Sequence, residues 1–286
     1  MNRASVKLRH FPTLAMVLAL SAQHAVAQEA PVMLAGDDRL NAILWTMTSA
    51  EFEAAMYTGY ATARAQLDAA LADKTRTALP EQTGKYSKLP PAIIMDVDET
   101  ILDNGPYQVR LMNNTEKKPA DLMTQWVEEA NAKPLPGAAE FIAYAQSKGV
   151  TIFYVTNRNA EKEAATRKNL AAIGAKLPEN IDTVLLEREK PEWKNDKATR
   201  RAAVAETHRV LLLLGDDFND FVSTQRLSSP ERRALVQREA KRWGRDWIMF
   251  PNPMYGSWEN AAINFEFRAP VEERRKIKQD TLKALQ

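Results

Sequence analysis

The 286-residue sequence contains no cysteine and only three histidines. The absence of cysteine excludes a structural disulfide, a thiolate nucleophile and a lipid-modified cysteine as membrane attachment. Two histidines, His10 and His24, fall in the first 27 residues, so only His208 remains in the rest of the chain. One histidine cannot form a phosphohistidine site with a second catalytic histidine, and it argues against a multi-histidine zinc site. The chemistry must therefore rest on carboxylates, hydroxyls, lysines and a metal that prefers oxygen ligands.

The N-terminal residues 1–27 differ in composition from the rest of the chain. Three basic residues precede an apolar run over residues 11–22, and the small residues Ala25 and Ala27 follow it. This order predicts a secretory signal peptide that is cleaved after Ala27. The alternative is an N-terminal membrane anchor, but about 12 apolar residues interrupted by Pro12 are too few for the ~20 that span a bilayer. We therefore expect a periplasmic or secreted protein without a stable membrane anchor.

The charge balance gives no support to nucleic acid as a partner. Removal of the predicted signal peptide lowers the number of basic residues from 39 to 36, against 37 acidic residues, so the mature chain is nearly neutral. Proteins that bind DNA or RNA need a basic face. We expect no nucleic-acid polymer as a partner. The sequence does not fix the oligomeric state, and it leaves a homo-oligomer open.

The mature chain divides into three parts. Residues 28–88 form a predicted helical region, because apolar residues recur at helical spacing over residues 52–71, behind a capping box that starts at Thr48. Residues 89–268 alternate apolar, strand-like runs with helical patterns, which predicts an α/β fold with a parallel sheet covered by helices on both faces. Residues 269–286 form a charged C-terminal tail to which we assign no chemistry. The predicted strands are Ala92–Val97, Val150–Thr156, Thr183–Leu186, Val210–Gly215 and Trp247–Phe250.

The end of the first predicted strand carries the most informative motif. An apolar run ends at Asp96 and Asp98, two residues apart, and Thr100 follows. Side chains at i and i+2 of an extended segment point the same way, so we expect the two carboxylates to emerge together. Two adjacent anions favour a cation between them. A magnesium ion there, with a carboxylate able to attack phosphorus, is the minimum equipment for forming an aspartyl-phosphate.

Other predicted strand ends supply complementary groups. Thr156, Asn157 and Arg158 place a hydroxyl, an amide and a cation after the second strand, and residues 216–220 hold three carboxylates after the fourth. Lys197 lies between them in sequence, at the start of a predicted helix. Ligands of open parallel sheets bind beyond the carboxyl ends of the strands. We therefore expect these groups to meet at one edge of the sheet.

These four motifs, in this order, resemble the haloacid dehalogenase (HAD) superfamily, whose phosphatases show DxDxT, a Thr or Ser at a strand end, a Lys and GDxxxD. More narrowly, the chain resembles the class C acid phosphatases and their lipoprotein-type 5'-nucleotidase relatives. The likeness runs from Trp45 to Glu259. The narrower part of it rests on residues 94–107, the Trp126-Val127 pair, and residues 153–158, 215–221 and 252–259. It implies a HAD-like Rossmannoid sheet with a small helical cap, formed by the N-terminal helices and an insert at about 103–134, that sets specificity.

The resemblance implies a catalytic role for each motif. Asp96 would be the nucleophile, and Asp98 would act as general acid and then as general base. Thr156 and Lys197 would hold the phosphoryl oxygens, where the lysine offsets negative charge in the transition state. The missing lipid-attachment cysteine departs from the lipoprotein branch and puts a surface-anchored role in doubt.

The resemblance also implies a magnesium site. Asp96, Asp216 and the main-chain carbonyl of Asp98 would hold the ion. A further carboxylate would hold metal-bound waters or the lysine, and Asp220 fits the GDxxxD pattern better than Asp217.

Relatives in this family stack a nucleobase between aromatic side chains, so Tyr107, Trp126 and Tyr255 are candidates for binding the substrate. Asn157 and Arg158 are further candidates. Core packing remains the alternative for each aromatic residue. Arg158 could instead pair with an acid at the surface.

The phosphate-binding lysine is the least secure of these assignments. Lys190 and Lys194 are close to Lys197 in sequence, and Lys197 is preferred because Lys-x-x-Arg matches the family pattern.

Together these features predict an exported, magnesium-dependent acid phosphatase of broad specificity that hydrolyses phosphate monoesters, nucleoside monophosphates among them. Its partner would be a small phosphate ester. Two alternatives stay open: a phosphotransferase that uses the same aspartyl-phosphate, and a binding or storage protein of the same fold that has lost catalysis.

Overall fold

The computed structural model describes residues 38–114, 117–224 and 226–286; the predicted signal peptide lies outside them. A five-stranded sheet in the order β3-β2-β1-β4-β5 forms the centre, and every neighbouring pair is parallel. The strands are β1 (Pro91–Met95), β2 (Thr151–Asn159), β3 (Val184–Glu187), β4 (Arg209–Gly215) and β5 (Trp247–Met249). The predicted α/β class with a parallel sheet is therefore confirmed.

Ten helices are present in the described part of the chain. They are α1 (Leu40–Thr48), α2 (Ala50–Ala72), α3 (Gly105–Met112), α4 (Pro119–Glu129), α5 (Ala138–Ser147), α6 (Glu163–Ala172), α7 (Ala198–Thr207), α8 (Ser229–Arg238), α9 (Ser257–Ala262) and α10 (Val271–Lys283). None of these described helices combines the length and apolar character needed to cross a membrane.

Different helices cover the two faces of the sheet. On one face, α2 and α5 pack against strand residues that include Met95, Leu214 and Ile248. On the other face, α7 packs against β2 and β4, and its Val204 joins Leu213 in a second apolar cluster. Burial of both faces explains why the strands are continuous apolar runs, since alternation is expected only where one face meets water.

Helix α2 is the longest helix in residues 28–88, the region predicted to contribute to the cap, and it packs on the core. Its buried residues, which include Phe52 and Met56, face the core, and the Tyr60 ring lies 4.5 Å from the Phe250 ring. The Tyr60 hydroxyl also donates a 2.5 Å hydrogen bond to the Thr100 carbonyl. Helix α2 therefore holds the turn that follows β1 through the hydrogen bond from Tyr60 to Thr100.

The beginning of α2 also differs from the prediction. The helix is capped by Ser49, whose side chain accepts from the Phe52 amide at 3.1 Å, while the Thr48 hydroxyl donates to the carbonyl of Leu44. Helix α1 contacts α3, which lies in the segment predicted as the cap insert. That segment, at about 103–134, contains α3 and α4.

The strand order places a crevice between the carboxyl ends of β1 and β4. The chain adds β2 and β3 on one side of β1 and then β4 and β5 on the other, so the order reverses there. The amide of Asp96 donates a 2.9 Å hydrogen bond to the carbonyl of Leu214, which brings the residues after both strands together. Such a switch point is where ligands bind in open α/β sheets.

Gly59 of α2 tests the packing of this helix. A Cβ atom at this position would lie 2.5 Å from Cε1 of Phe250. Alanine is a better helix former than glycine by ~1 kcal/mol, but overpacking a core contact costs about 1–3 kcal/mol. We expect Gly59→Ala to lower the free energy of unfolding, measured by urea denaturation. The control, Thr58→Ala on the exposed side, should stay within about 0.5 kcal/mol. A Gly59→Ala protein as stable as the wild type would contradict this packing.

Candidate active site

A cavity of about 570 Å³ opens at the carboxyl ends of β1, β2 and β4. Most of the site residues predicted from the sequence lie on its wall. These are Asp96, Asp98, Asn157, Arg158, Lys197, Asp216, Asp220 and Tyr255. Thr156 is fully buried and does not line the cavity, and its hydroxyl lies 3.5 Å from Oδ2 of Asp98. Asn157 and Arg158, predicted to follow the second strand, form part of the end of β2 itself. The groups at the ends of separate strands thus meet at one edge of the sheet.

Three aspartates form an acidic centre in this cavity. Asp96 follows β1, whereas Asp216 and Asp220 follow β4, and one carboxylate oxygen of each lies within 4.8 Å of the others. The Asp98 side chain is not part of this cluster, because the turn after β1 directs it toward Arg158. In that turn the amides of Ile101 and Leu102 both donate to the carbonyl of Val97.

The acidic centre fits a divalent cation that prefers oxygen ligands. The two hydrogen-bond donors to Asp216 in the described part of the chain are neutral: Thr100 at 3.1 Å and Asn252 at 2.9 Å. Burial, with the nearby charges of Asp96 and Asp220, raises the pKa of Asp216 well above its usual value. Asp96 and Asp220 are buried and Asp216 is half-buried. Three such carboxylates without enough positive charge are the donor set typical of magnesium, manganese or calcium sites.

Lys197 occupies the centre of the acidic groups. It precedes α7, and its Nζ contacts the Asp96 carboxylate and lies 2.6 Å from Asp220. Burial alone would lower the pKa of Lys197, but Asp220 and Asp96 raise it above its usual value, so the lysine is charged. By contrast, Lys194 is exposed and Lys190 lies over the Trp193 ring at 4.3 Å. The structure thus places Lys197 beside Asp96, the predicted nucleophile, whereas Lys190 and Lys194 lie elsewhere.

Gly215 makes the approach of Asp220 to Lys197 feasible. A Cβ atom on Gly215 would lie 2.2 Å from Oδ2 of Asp220, so only glycine leaves room for that carboxylate. Asp220 is fixed further by the amide of Asp217, which donates to its Oδ2 at 2.9 Å. The glycine of the GDxxxD pattern is therefore a steric requirement of the site.

Arg158 holds Asp98 in a two-pronged ion pair. Its Nη2 lies 2.7 Å from Oδ1 of Asp98, and its Nε lies 3.1 Å from both carboxylate oxygens. Only 4% of Arg158 is exposed, so it pairs with an acid inside the site and not at the surface. Burial favours the neutral form of Asp98, but Arg158 and Asn104 together hold its pKa below the usual value.

Two of the three aromatic candidates do not lie on the cavity wall. Tyr107 and Trp126 are 8% and 5% exposed, pack in the main apolar cluster and do not line the cavity. The Trp126 ring is fixed by its Nε1, which donates to Asn104 at 2.7 Å. Tyr255 does line the cavity, and its hydroxyl contacts the buried carboxyl of Glu99. The expected stacking surface thus reduces to Tyr255.

Comparison with known proteins assigns the family. The family model of the HAD superfamily, subfamily IIIB (acid phosphatase), matches residues 21–258. The chain belongs to this acid phosphatase family. The resemblance inferred from the motifs is therefore confirmed, and the four motifs that carried it all lie at the site described above.

Solved structures agree with the family assignment. The class C acid phosphatase from Bacillus anthracis is 37% identical, with a TM-score of 0.73, and the match covers 85% of this chain and 95% of that one. A structure of the class C acid phosphatase from Bacillus anthracis with tungstate bound is 36% identical, with a TM-score of 0.72 and the same coverage. These similarities indicate a phosphoric monoester hydrolase.

Curated relatives are more distant. The Stem 28 kDa and Stem 31 kDa glycoproteins of Glycine max are each 26% identical over 137 residues, which is 46% of this chain. The chain spans about half the length of these curated relatives, 53% and 46% respectively.

The sequence did not reveal two buried arginines that support the acid phosphatase site from behind. Arg200 is fully buried and donates to the Thr156 carbonyl and, at 2.6 Å, to the Asn157 side chain. Arg201 donates to the carbonyls of Asn219 and Asp220 at 2.9 and 3.2 Å. Burial lowers the pKa of Arg200 to about 10. Adjacent arginines in a helix usually indicate a solvated surface, so only the fold identifies this role.

A loop after β5 closes one side of the cavity. Ser257 donates its amide to Asp217 at 2.5 Å, and its hydroxyl contacts the same carboxylate. Asn252 is tied to Asp216, as described above. Asp217 therefore holds a loop in place and does not join the acidic centre, which agrees with the preference for Asp220.

Asp216→Asn tests two properties of the acidic centre: the repulsion among its carboxylates and its affinity for metal. The isosteric amide removes one half-buried carboxyl group from the acidic centre and with it part of the repulsion, so the chelator-treated variant should melt at or above the wild-type temperature. Magnesium at 100 times its Kd should stabilise the wild type by about 2.7 kcal/mol. The variant should gain much less than the wild type. Differential scanning calorimetry with and without magnesium checks both effects.

The control for this experiment is Asp121→Asn, a change of the same chemistry at an exposed position of α4. It should respond to magnesium as the wild type does. An Asp216→Asn protein that gains as much stability from magnesium as the wild type would contradict the proposed ligand set.

Proposed function

We propose that the protein is an exported, magnesium-dependent acid phosphatase that hydrolyses small phosphate monoesters through an aspartyl-phosphate. One observation carries this proposal: Lys197 contacts Asp96 and Asp220 together on the wall of an open cavity, in a member of the acid phosphatase family. A nucleophile, a fixed cation and an acidic metal site thus lie within reach of a single phosphoryl group.

The metal would be held by Asp96, Asp216 and the main-chain carbonyl of Asp98, with Asp220 beside them. When bound, magnesium supplies positive charge that offsets the charge on the phosphoryl oxygens and on the acidic centre. Asp220 has a second role, because its ion pair with Lys197 keeps that lysine directed at Asp96.

In the first step, a carboxylate oxygen of Asp96 attacks the phosphorus in line with the ester bond. The P–O bond to the alcohol breaks, and its electron pair stays on the ester oxygen, which receives a proton from Asp98. Lys197 stabilises charge on the phosphoryl oxygens. The Thr156 hydroxyl, which does not line the cavity, would instead help to hold the Asp98 carboxylate. The products of this step are the free alcohol and an acyl phosphate on Asp96.

In the second step, Asp98 takes a proton from water as the water oxygen attacks the same phosphorus. The bond between phosphorus and Asp96 breaks, and its electron pair returns to the carboxylate. Arg158 holds Asp98 ionised before substrate binds. A negatively charged phosphoryl group beside Asp98 would raise its pKa and so favour the protonated form that the first step needs.

The cavity supports a broad range of esters. Tyr255 is the one aromatic residue on the described part of its wall, and most other wall residues are polar. Nucleoside monophosphates can use this ring, but stacking on a single ring does not select strongly among bases. Export rests on the signal-like segment at residues 1–27.

Phosphate release from p-nitrophenyl phosphate and from a nucleoside monophosphate tests this function. We expect release from both substrates with magnesium and none with a chelator. Lys197→Met should lower kcat on the order of 10²–10³-fold, as expected for loss of one charge-stabilising group. The matched control, Lys194→Met, removes an exposed lysine of the same loop and should change kcat less than about twofold.

Two results would count against the proposal. Equal effects of the Lys197 and Lys194 substitutions would show that Lys197 is not the phosphate-binding lysine. No release from any ester, despite bound magnesium, would favour a non-catalytic protein of the same fold.

A further inference from the structure

Asn104 connects the predicted general acid to a tryptophan that the mechanism has not used. It lies directly before α3, and only 1% of it is exposed. Its Nδ2 donates to Oδ1 of Asp98 at 2.7 Å and lies 3.4 Å from Oε2 of Glu99. Its Oδ1 accepts from Nε1 of Trp126 at 2.7 Å. All the polar atoms of this side chain are therefore engaged.

The indole of Trp126 fixes which way the Asn104 amide faces. An indole N–H can only donate, so it requires the amide oxygen on its side. The amide NH₂ must then face Asp98 and Glu99, where it can donate to their carboxyl oxygens. With the amide reversed, its oxygen would face Asp98 and its NH₂ would face the indole N–H, and both contacts would be repulsive. The burial of Trp126, at 5% exposed, holds this arrangement rigidly.

The consequence for Asp98 is that its two oxygens become unequal. Oδ1 receives two short bonds, from Asn104 and from Nη2 of Arg158, each 2.7 Å. Oδ2 has only longer contacts, to Nε of Arg158 at 3.1 Å and to the Thr156 hydroxyl at 3.5 Å. An oxygen that already accepts two short bonds has little capacity to carry a proton, so Oδ2 is the oxygen that can.

We propose that Asn104 is a positioning residue that engages Oδ1 of Asp98 and so leaves Oδ2 as the oxygen that transfers the proton, and that Trp126 acts through Asn104. The proposal rests on the proposed function, in which Asp98 is the general acid. In that step the Oδ2–H bond breaks and the proton passes to the ester oxygen. The electron pair of the cleaved P–O bond remains on that oxygen and receives the proton.

The dependence of rate on the leaving group tests this role. An alkyl phosphate has a poor leaving group that needs a proton, whereas p-nitrophenyl phosphate releases an anion that is stable without one. General acid catalysis contributes on the order of 10²–10⁴-fold. We expect Asn104→Ala to lower kcat/KM, which reports the first step and not the later hydrolysis of the acyl phosphate, on the order of 10²-fold for the alkyl ester but less than about threefold for the nitrophenyl ester. Asp98→Asn, which removes the acid itself, should show the same inequality in kcat/KM and serves as the reference.

Trp126→Phe provides a second test with less risk to folding. It keeps a large ring in the core but removes the N–H that orients the Asn104 amide. We therefore expect the rate for the alkyl ester to fall about 5- to 20-fold more than the rate for the nitrophenyl ester. The matched control is Trp243→Phe, which removes an indole N–H bond to the Val236 carbonyl at 3.1 Å, away from Asp98. It should leave the ratio of the two rates unchanged. The Asn104 side chain caps no helix, so its removal takes away no cap.

Equal losses on the two esters in folded Asn104→Ala or Trp126→Phe protein, judged by circular dichroism, would overturn the proposal, as would no loss on either ester. If Asn104→Ala does not fold, the ratio of the alkyl-ester rate to the nitrophenyl-ester rate in Trp126→Phe decides the question alone. Failure of the wild type to hydrolyse either ester would instead be failure of the proposed function.

Discussion

The balance of charge among three closely spaced carboxylates governs the arrangement of the active site. Asp96, Asp216 and Asp220 place carboxylate oxygens within 4.8 Å of one another, and such a group repels itself strongly in a buried site. Lys197 offsets part of that charge by contacting two of the three aspartates. The remainder calls for a metal ion and, in turn, attracts one. Stability and affinity for metal are therefore opposed in the protein without its ion.

Buried polar side chains around this charged centre hold its groups in position. Arg200 and Arg201 hold the strand ends through main-chain carbonyls, while Asn104 and Arg158 fix the Asp98 carboxylate. These side chains are buried, so they lose little mobility when substrate binds. A catalytic site needs reacting groups held in position before the reaction starts, because reorganisation during the reaction raises the barrier. Burying these polar and charged side chains around the site costs free energy of desolvation, which their hydrogen bonds offset.

Much of the fold could be predicted from the sequence, because strands buried on both faces read as apolar runs and the polar groups at their ends stand out. Asp96, Thr156 and Asp216 were identified that way. The functions of Arg200 and Asn104 were not, since no local pattern distinguishes a buried arginine or asparagine from an exposed one. Trp126 and Tyr107 were candidates through the family resemblance, which does not show whether a ring lines the cavity or packs in the core. Both pack in the main apolar cluster. The α2 helix showed an apolar stripe, but not which surface that stripe would cover.

Trapping the aspartyl-phosphate tests most directly whether Asp96 is the nucleophile. Enzyme quenched in acid during turnover is treated with borohydride, which reduces an acyl phosphate to the alcohol, and the peptides are mapped by mass spectrometry. We expect Asp96 alone to be converted to homoserine, in a yield that depends on substrate. Conversion at Asp98 or Asp216, or no conversion under conditions of steady turnover, would contradict it.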